Sequence, residues 1–191
     1  TPYGISKLVA EKIHLGWKAS SSDHKLTIVR PGVVFGKGEN GNFTRLYWAI
    51  RGHKFAYPGR KDTIKACIYV KELVRFILWR ATKNEELAIR NEELGIRNEK
   101  SGIDYTADIF NCCYEPAYTI EHIVRAMKRV TGLRRFVPSI PNWLIMPAAT
   151  VIGALGAPMG ICPARVRKLQ VSTNICGKKL AERGYRLKWT F

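Results

Sequence analysis

Acidic residues are scarce in this chain of 191 residues: 15 Asp and Glu stand against 32 Lys and Arg, and the formal net charge is +17. Such a surplus is typical of proteins that meet nucleic acid, anionic lipid or a phosphorylated substrate. The bases are spread from Lys7 to Lys188, and no basic run with interleaved aromatics marks a nucleic-acid groove. We therefore favour a diffuse excess of positive charge, with a local site for a phosphorylated substrate inside it, and predict no nucleic-acid partner.

Metal-binding and disulfide patterns are also missing. The five cysteines form no C-x-x-C pair, and the four histidines are scattered without ligand spacing. Hydrophobic residues make up 46% and charged residues 25%, which is ordinary usage for a globular protein. The sequence therefore predicts no metal site, reduced thiols and a cytoplasmic protein.

Two stretches share the spacing Tyr-x-x-x-Lys: TPYGISK, with Tyr3 and Lys7, and YPGRK, with Tyr57 and Lys61. This spacing brings side chains together on a helix. The second stretch contains a Pro-Gly turn signal, so we expect its Tyr and Lys not to share a face. The first leads into the apolar pattern of an amphipathic helix, and Pro2 suits the first turn of that helix.

On that helix, Tyr3 and Lys7 are predicted to lie one above the other. An ammonium close to a phenol favours the phenolate, which makes a usable general base. The spacing alone leaves a second interpretation open, namely a surface Tyr beside a surface Lys.

An ordered set of motifs continues over nearly the whole chain. They are PYGISK at 2–7, RPGVVFG at 30–36, IYVKEL at 68–73, DIFN at 108–111 before YTIE at 118–121, and KKLAERGY at 178–185. In this order and spacing they resemble the extended short-chain dehydrogenase/reductase family, in its NAD-dependent nucleotide-sugar epimerase and dehydratase branch. The resemblance implies an α/β fold: the C-terminal part of a Rossmann-like doubly wound parallel sheet, with a smaller substrate-binding α/β subdomain.

In the resembled family, a glycine-rich nucleotide-binding half precedes the Tyr-Lys helix, together with a Ser or Thr that assists the Tyr. Here the Tyr-Lys helix opens the sequence. We expect this chain to be the C-terminal part of a longer protein and to contain no glycine spacing of the dinucleotide-binding kind. We also expect it to leave apolar surface uncovered, since a parallel sheet is normally buried on both faces.

An internal repeat interrupts the resemblance at 84–104, where the sequence reads NEELAIR, NEELGIR, NEKSGID. We predict an insertion into a surface loop, which such loops tolerate, or a charged helix extending the one that begins near Lys71. The predicted division has three parts. Residues 1–83 are the C-terminal portion of the Rossmann-like domain with the catalytic helix and the start of the substrate domain, 84–104 the heptapeptide-repeat insertion, and 105–191 the substrate-binding subdomain.

No charged residue occurs from Phe136 to Ala164, and Trp143 to Cys162 is long enough to span a bilayer if helical. Pro147 and several other Pro and Gly residues would interrupt a spanning helix. We therefore predict peripheral membrane association through 136–164 in preference to a true span.

The resemblance implies roles for three residues near the cofactor. Lys7 would hold the ribose hydroxyls of the nicotinamide nucleotide and favour the phenolate of Tyr3, with Pro31 bordering the nicotinamide. Tyr3 would remove a proton from a sugar hydroxyl while hydride passes to NAD, or to NADP. A 4-keto sugar that takes hydride back on its other face gives epimerisation at C4, with the cofactor regenerated.

The resemblance also implies substrate contacts. Asn42 and Lys65 match positions that meet the diphosphate, and Arg165 or Arg167 would be a second clamp. Lys is a point charge and does not form the bidentate fork of Arg. Val33 stands where family members often carry Asn, so the identity of the sugar stays open.

We therefore predict an NAD-dependent nucleotide-sugar 4-epimerase acting as a homodimer in its complete form. A 4,6-dehydratase, a reductase and a hydroxysteroid-type dehydrogenase are alternatives on the same scaffold, and Val33 with the apolar 136–164 stretch keeps a lipid-linked sugar or sterol-like substrate open. The alternative from another functional class is a dimerising interaction module without catalytic activity.

Overall fold

The computed structural model describes residues 1–93, 107–134, 136–154 and 163–191. These residues form seven helices and eight short strands. The last part of the repeat, from residue 94, and part of the charge-free stretch, at 155–162, lie outside the described residues.

Helices and strands alternate irregularly along the chain. The helices are α1 (Pro2–Ala19), α2 (Asn42–Arg51), α3 (Val70–Glu93), α4 (Ile120–Thr131), α5 (Asn142–Ala154), α6 (Pro163–Gln170) and α7 (Lys179–Glu182). The strands are β1 (Thr27–Pro31), β2 (Val33–Phe35), β3 (Tyr57–Pro58), β4 (Ile64–Lys65), β5 (Cys67–Tyr69), β6 (Asp108–Cys112), β7 (Tyr118–Thr119) and β8 (Ser139–Ile140).

The strands of the described residues pair two by two, and three of these four pairs are parallel: β1 with β6, β2 with β5, and β3 with β8. β4 and β7 are antiparallel. Parallel neighbours need a crossover connection, and α2 and α3 both lie between β1 and β6. The predicted α/β class is confirmed. Strands from 1–83 pair with strands from 105–191, and the predicted division into domains stays a prediction.

The predicted first helix is present, and it is poorly covered. Thr1 caps α1 by accepting a hydrogen bond from the amide of Gly4 at 3.2 Å, and Pro2 lies in the first turn. No residue of α1 is buried, although its apolar side chains are large. The exposed ones are Ile5, Leu8, Val9, Ile13 and Trp17. The expectation of uncovered apolar surface is confirmed on this helix.

The largest fully buried side chains belong to α3 and β6. Phe76 of α3 meets Phe110 of β6 edge to face with ring centroids 5.1 Å apart, and neither side chain is exposed. Tyr185, which follows α7, contacts Phe76 at 5.2 Å. This core therefore joins the middle of the chain to its end.

Glu72, in the first turn of α3, is fully buried and ties the C-terminal segment to this core. Its carboxylate accepts hydrogen bonds from the Tyr185 hydroxyl at 2.8 Å and from the amide of Trp189 at 2.6 Å. The amide of Lys188 donates to the same carboxylate. A buried carboxylate is tolerated when its oxygens are satisfied in this way.

Buried thiols form a second feature of the core. Cys67, Cys112 and Cys113 are at most 1% exposed. Burial raises the pKa of Cys67 and Cys112 to about 12 and that of Cys113 to about 11. These thiols are therefore protonated core residues and not reactive thiolates.

The structure can be compared with the sequence-based expectations for the repeat and for Pro147. The first ten residues of the repeat, to Glu93, continue α3, which agrees with the extended-helix alternative. α5 continues through Pro147 but has only 13 residues, whereas our expectation concerned a membrane-spanning helix. Within the described parts of the chain, no helix is long and apolar enough to cross a membrane.

We expect Glu72→Ala to lower the free energy of unfolding by about 3–5 kcal/mol, because it leaves two amides without an acceptor and removes the nearer acceptor of the Tyr185 hydroxyl. Glu72→Gln keeps one carbonyl oxygen and should cost less. The control is Glu121→Gln, which breaks only the surface ion pair with Arg125 and should cost under about 1 kcal/mol. Urea unfolding measures all three; a loss at Glu72→Ala no larger than the control would contradict this account.

We expect stability to fall as pH rises above about 8.5, where thiols of the unfolded chain ionise. The folded pKa values are raised, so the folded state keeps protons that the unfolded state loses, up to pH values near 11 and 12. For each such thiol, the free energy of unfolding should fall by about 1.4 kcal/mol per pH unit in this window.

Cys112→Ala should therefore flatten the pH dependence between pH values of about 9 and 11. Cys176→Ala is the matched control at an exposed thiol and should leave the slope unchanged. Unfolding curves at several alkaline pH values decide this, and identical slopes in wild type and Cys112→Ala would refute it.

Candidate functional site

Tyr3 and Lys7 lie on the first two turns of α1, as the spacing predicts. The Lys7 Nζ lies 5.5 Å from the centroid of the Tyr3 ring. The Tyr3 side chain is 73% exposed, and Lys7 is also exposed. Both polar groups are therefore free to meet a ligand.

Tyr57 and Lys61 are also close to each other, and our expectation for this pair is wrong. The Lys61 Nζ lies 5.3 Å from the centroid of the Tyr57 ring, because the Pro-Gly turn folds the chain back on itself. Tyr57 is only 4% exposed, and burial, followed by the charge of Glu121, raises its pKa. Exposure, and not proximity to a lysine, is therefore what separates Tyr3 from Tyr57.

An ion pair connects α1 to the end of β1. The Arg30 Nε donates to the Glu11 carboxylate at 2.8 Å, and this hydrogen bond lowers the pKa of Glu11. Lys7 lies one turn before Glu11, about 6 Å along the helix axis. Pro31 follows Arg30 directly, so the ion pair places Lys7 and Pro31 in the same part of the fold.

The chain crosses from one strand pair to the next just after Pro31. The amide of Gly32 donates to the Cys112 carbonyl, and the amide of Val33 to the Ala66 carbonyl, both at 2.9 Å. A Cβ on Gly32 would lie 2.8 Å from the backbone of Ala66, so this crossing requires glycine. Val33 is 37% exposed at the start of β2.

Asn42 is the first residue of α2 and is exposed. The N-terminal end of α2 is already occupied by a carboxylate of the same chain. The Glu39 carboxylate accepts a hydrogen bond from the amide of Thr44 at 2.9 Å. Burial alone would raise the pKa of Glu39, but hydrogen bonds from Thr44, Gly41 and Phe43 outweigh it and hold the pKa below the ordinary value.

The string GKGENG, residues 36–41, has the spacing G-x-G-x-x-G, so our expectation that the chain contains no such spacing is wrong. It follows β2 and precedes α2, as a phosphate-binding turn would. Its own Glu39 carboxylate accepts a hydrogen bond from the Thr44 amide at the N-terminal end of α2, however, where a phosphate would bind.

Lys65 lies against the C-terminal end of α6. Its Nζ donates to the Val171 carbonyl at 2.7 Å, and burial lowers its pKa. The predicted clamp residues are on this same helix: Arg167 is exposed, and the side chain of Arg165 lies outside the described residues. The structure therefore brings Lys65 and the helix of Arg167 together.

Apart from Asn42, which lies on α2, the predicted residues form two groups. Tyr3, Lys7 and Pro31 belong to α1 and β1, whereas Lys65 and Arg167 belong to β4 and α6. Among the described residues, no hydrogen bond or ion pair joins one group to the other. The cofactor-binding and catalytic roles of the first group and the diphosphate-binding role of the second stay predictions.

Sequence reasoning missed an aromatic cluster beside Asn42. Phe35 of β2 stacks on Phe43 and on Phe191, with ring centroids 4.7 and 4.8 Å apart. Tyr118 meets the Phe191 ring edge to face at 4.9 Å. These rings are distant in sequence and follow no local pattern, so only the fold reveals them. They support the start of α2 from inside.

Residues 1–92 match the model of the NAD dependent epimerase/dehydratase family. A curated relative from Escherichia coli O157:H7, N-acetyl-alpha-D-glucosaminyl-diphospho-ditrans,octacis-undecaprenol 4-epimerase, is 27% identical over 187 residues, which cover 97% of this chain and 46% of that protein. The chain therefore spans about half the length of this relative.

A solved structure of human epimerase family protein SDR39U1 (isoform2) with NADPH superposes with a TM-score of 0.55. The match covers 85% of this chain and 43% of the human protein at 16% identity, so it shows the fold alone. It confirms the predicted C-terminal part of a Rossmann-like α/β fold. Over residues 1–92, this chain is similar to the NAD dependent epimerase/dehydratase family.

Proposed function

We propose that the complete protein catalyses NAD-dependent epimerisation at C4 of a sugar carried on a nucleotide diphosphate, through a 4-keto sugar. The observation that carries this proposal is the exposed Tyr3–Lys7 pair on a helix that the Glu11–Arg30 ion pair holds beside Pro31. The match of residues 1–92 to the epimerase/dehydratase family model and the similarity to a 4-epimerase support it.

The residues present on α1 fit a nicotinamide nucleotide. Within the described part of the chain Lys7 forms no ion pair, so its three N–H donors are available to two ribose hydroxyls. When bound, NAD supplies the acceptor and then the donor of the hydride. The same lysine lies 5.5 Å from the centroid of the Tyr3 ring, so one ligand could contact both side chains.

Tyr3 then acts as the acid and base at the sugar. Its phenolate oxygen takes the proton of the C4 hydroxyl as the C4 hydrogen departs, which leaves a 4-keto sugar. After the sugar has turned over in the site, the phenol returns the proton to the C4 oxygen. The sequence of steps consumes nothing and inverts C4.

Asn42, Lys65, Arg165 and Arg167 are proposed to bind the diphosphate. Asn42 presents its amide at the start of α2, where Glu39 satisfies the helix amides and leaves the Asn42 side chain exposed. Lys65 would have to share its ammonium with the Val171 carbonyl. Arg167, exposed on α6, has no such competitor among the described residues.

A lipid-linked diphosphate is the second candidate substrate. The relative with 27% identity over 97% of this chain is named for a sugar on a diphospho-undecaprenol, and it is also a 4-epimerase. The diphosphate and the C4 chemistry are common to both candidates.

The proposal further includes a homodimer, supported by the uncovered apolar side chains of α1, and peripheral membrane association through 136–164.

We expect residues 1–191 by themselves to bind NAD only weakly and to show no turnover. The GKGENG string, the match to a dinucleotide-binding spacing, is occupied by Glu39 and leaves no free helix end for a pyrophosphate. Calorimetry with NAD on the purified chain measures this, with the longer protein as the positive control. Micromolar affinity of the isolated chain would contradict it.

In the complete protein, we expect Tyr3→Phe to slow the chemical step by about 10²–10⁴, the range for losing a positioned acid/base group, with substrate binding largely unchanged. Lys7→Met should reduce both the rate and the NAD affinity, because one ammonium serves both purposes.

Tyr57→Phe and Lys61→Met are matched controls, since the same two side chains meet at a similar distance but the Tyr57 ring is buried. Neither should change kcat or NAD affinity strongly. Steady-state kinetics and NAD titration compare the four variants. Equal effects at Tyr3 and Tyr57, or a fully active Tyr3→Phe enzyme, would sink the assignment.

A further inference from the structure

Residues 122–181 contain no acidic residue at all, whereas they contain ten bases. The bases are Arg125, Lys128, Arg129, Arg134, Arg135, Arg165, Arg167, Lys168, Lys178 and Lys179. A segment of this length with one sign of charge attracts an anionic partner and repels a cationic one.

The same segment exposes large apolar side chains. Phe136 is 77% exposed, Trp143 is 76% exposed and Leu144 is 49% exposed. We refer to these three residues as the apolar patch. Tryptophan and phenylalanine are the side chains that favour the boundary between lipid headgroups and acyl chains.

A cavity of about 530 Å³ opens beside Phe136, between the ends of α2 and α4. Its apolar lining includes Ile50, Phe55, Leu133 and Val137. Its polar lining is basic and contains no carboxylate: His53, Lys54 and Lys128. Apolar surface and positive charge therefore adjoin each other at this edge of the fold.

The backbone that carries the apolar patch is fixed to the fold. The amide of Tyr57 donates to the Pro138 carbonyl at 2.9 Å, and the amide of Gly59 donates to the Ile140 carbonyl at 2.8 Å. The Asn142 side chain accepts from Gln170 at 2.6 Å, at the first turn of α5. The backbone on both sides of β8, which carries the exposed rings, is therefore fixed by hydrogen bonds.

A further base lies over the ring of Phe136. The Lys61 Nζ is 5.9 Å from the ring centroid. Phe136 and Trp143 are seven residues apart, which limits their Cα separation to about 25 Å. Phe136 therefore adjoins bases directly, and Trp143 lies within about 25 Å of it along the chain.

We propose that this surface binds the interface of an anionic phospholipid bilayer. Phe136, Trp143 and Leu144 enter the headgroup region, and Lys54, Lys128 and Arg134 meet the lipid phosphates. Each base near an anionic membrane strengthens binding by about five-fold. This inference rests on the peripheral membrane association included in the proposed function and names the lipid that it requires. The binding needs no spanning helix and no turnover, so its failure would remove that association and leave the proposed epimerase chemistry untouched.

Sedimentation with vesicles tests the proposal on the purified protein. We expect binding to vesicles of phosphatidylcholine mixed with phosphatidylglycerol, and at least about ten-fold weaker binding to phosphatidylcholine alone. Lys128→Gln combined with Arg134→Gln should weaken binding by about twenty-five-fold, at five-fold per base. Lys12→Gln, at an exposed base of α1, is the control and should have little effect.

Phe136→Ser combined with Trp143→Ser should also abolish vesicle binding, with circular dichroism showing that the fold is kept. Trp48→Ser is the matched control, because Trp48 is 57% exposed on α2, away from the patch. In wild type, lipids with brominated acyl chains should quench part of the tryptophan fluorescence, and Trp143→Phe should remove that part without disturbing the fold.

Equal binding to neutral and anionic vesicles would overturn the proposal. So would equal losses in the patch and control variants, or quenching that persists in Trp143→Phe. If single-stranded RNA displaced the vesicles and bound the patch variants as tightly as wild type, the acid-free segment would be a nucleic-acid surface instead.

Discussion

The buried carboxylate of Glu72 is the interaction on which the arrangement of this chain most depends. It sits where β5 turns into α3 and receives the Tyr185 hydroxyl and the amides of Lys188 and Trp189. These hydrogen bonds fix the C-terminal residues beside β2, where Phe191 stacks on Phe35. The strand that leads away from Pro31 is consequently supported by the far end of the sequence.

The candidate site depends on exposure more than on proximity. Both Tyr-Lys pairs bring an ammonium to between 5.3 and 5.5 Å of a phenol ring, but only Tyr3 faces outward. Burial raises the pKa of Tyr57 and so favours its neutral phenol, whereas the Tyr3 side chain is 73% exposed. The Glu11–Arg30 ion pair then gives α1, which buries none of its residues, a defined position beside β1.

Local patterns in the sequence predicted the elements that local physics determines. The helix that opens at Pro2 and the helix that begins near Lys71 both follow from neighbouring residues. The contacts of Glu72, Glu39 and Lys65 could not be predicted, because their partners are set by the fold. Lys61 shows the same limit, since the turn that seemed to separate it from Tyr57 brings them together.

The measurement that tests the central claim most directly follows the hydrogen at C4 of the sugar. The complete protein is given NAD and a diphosphate-linked sugar carrying deuterium at C4, and the product is analysed by mass spectrometry and NMR. Our account predicts a product with inverted C4 that keeps its deuterium, because the hydride leaves and returns without meeting water. Deuterium lost to solvent, or a dehydrated product, would contradict it.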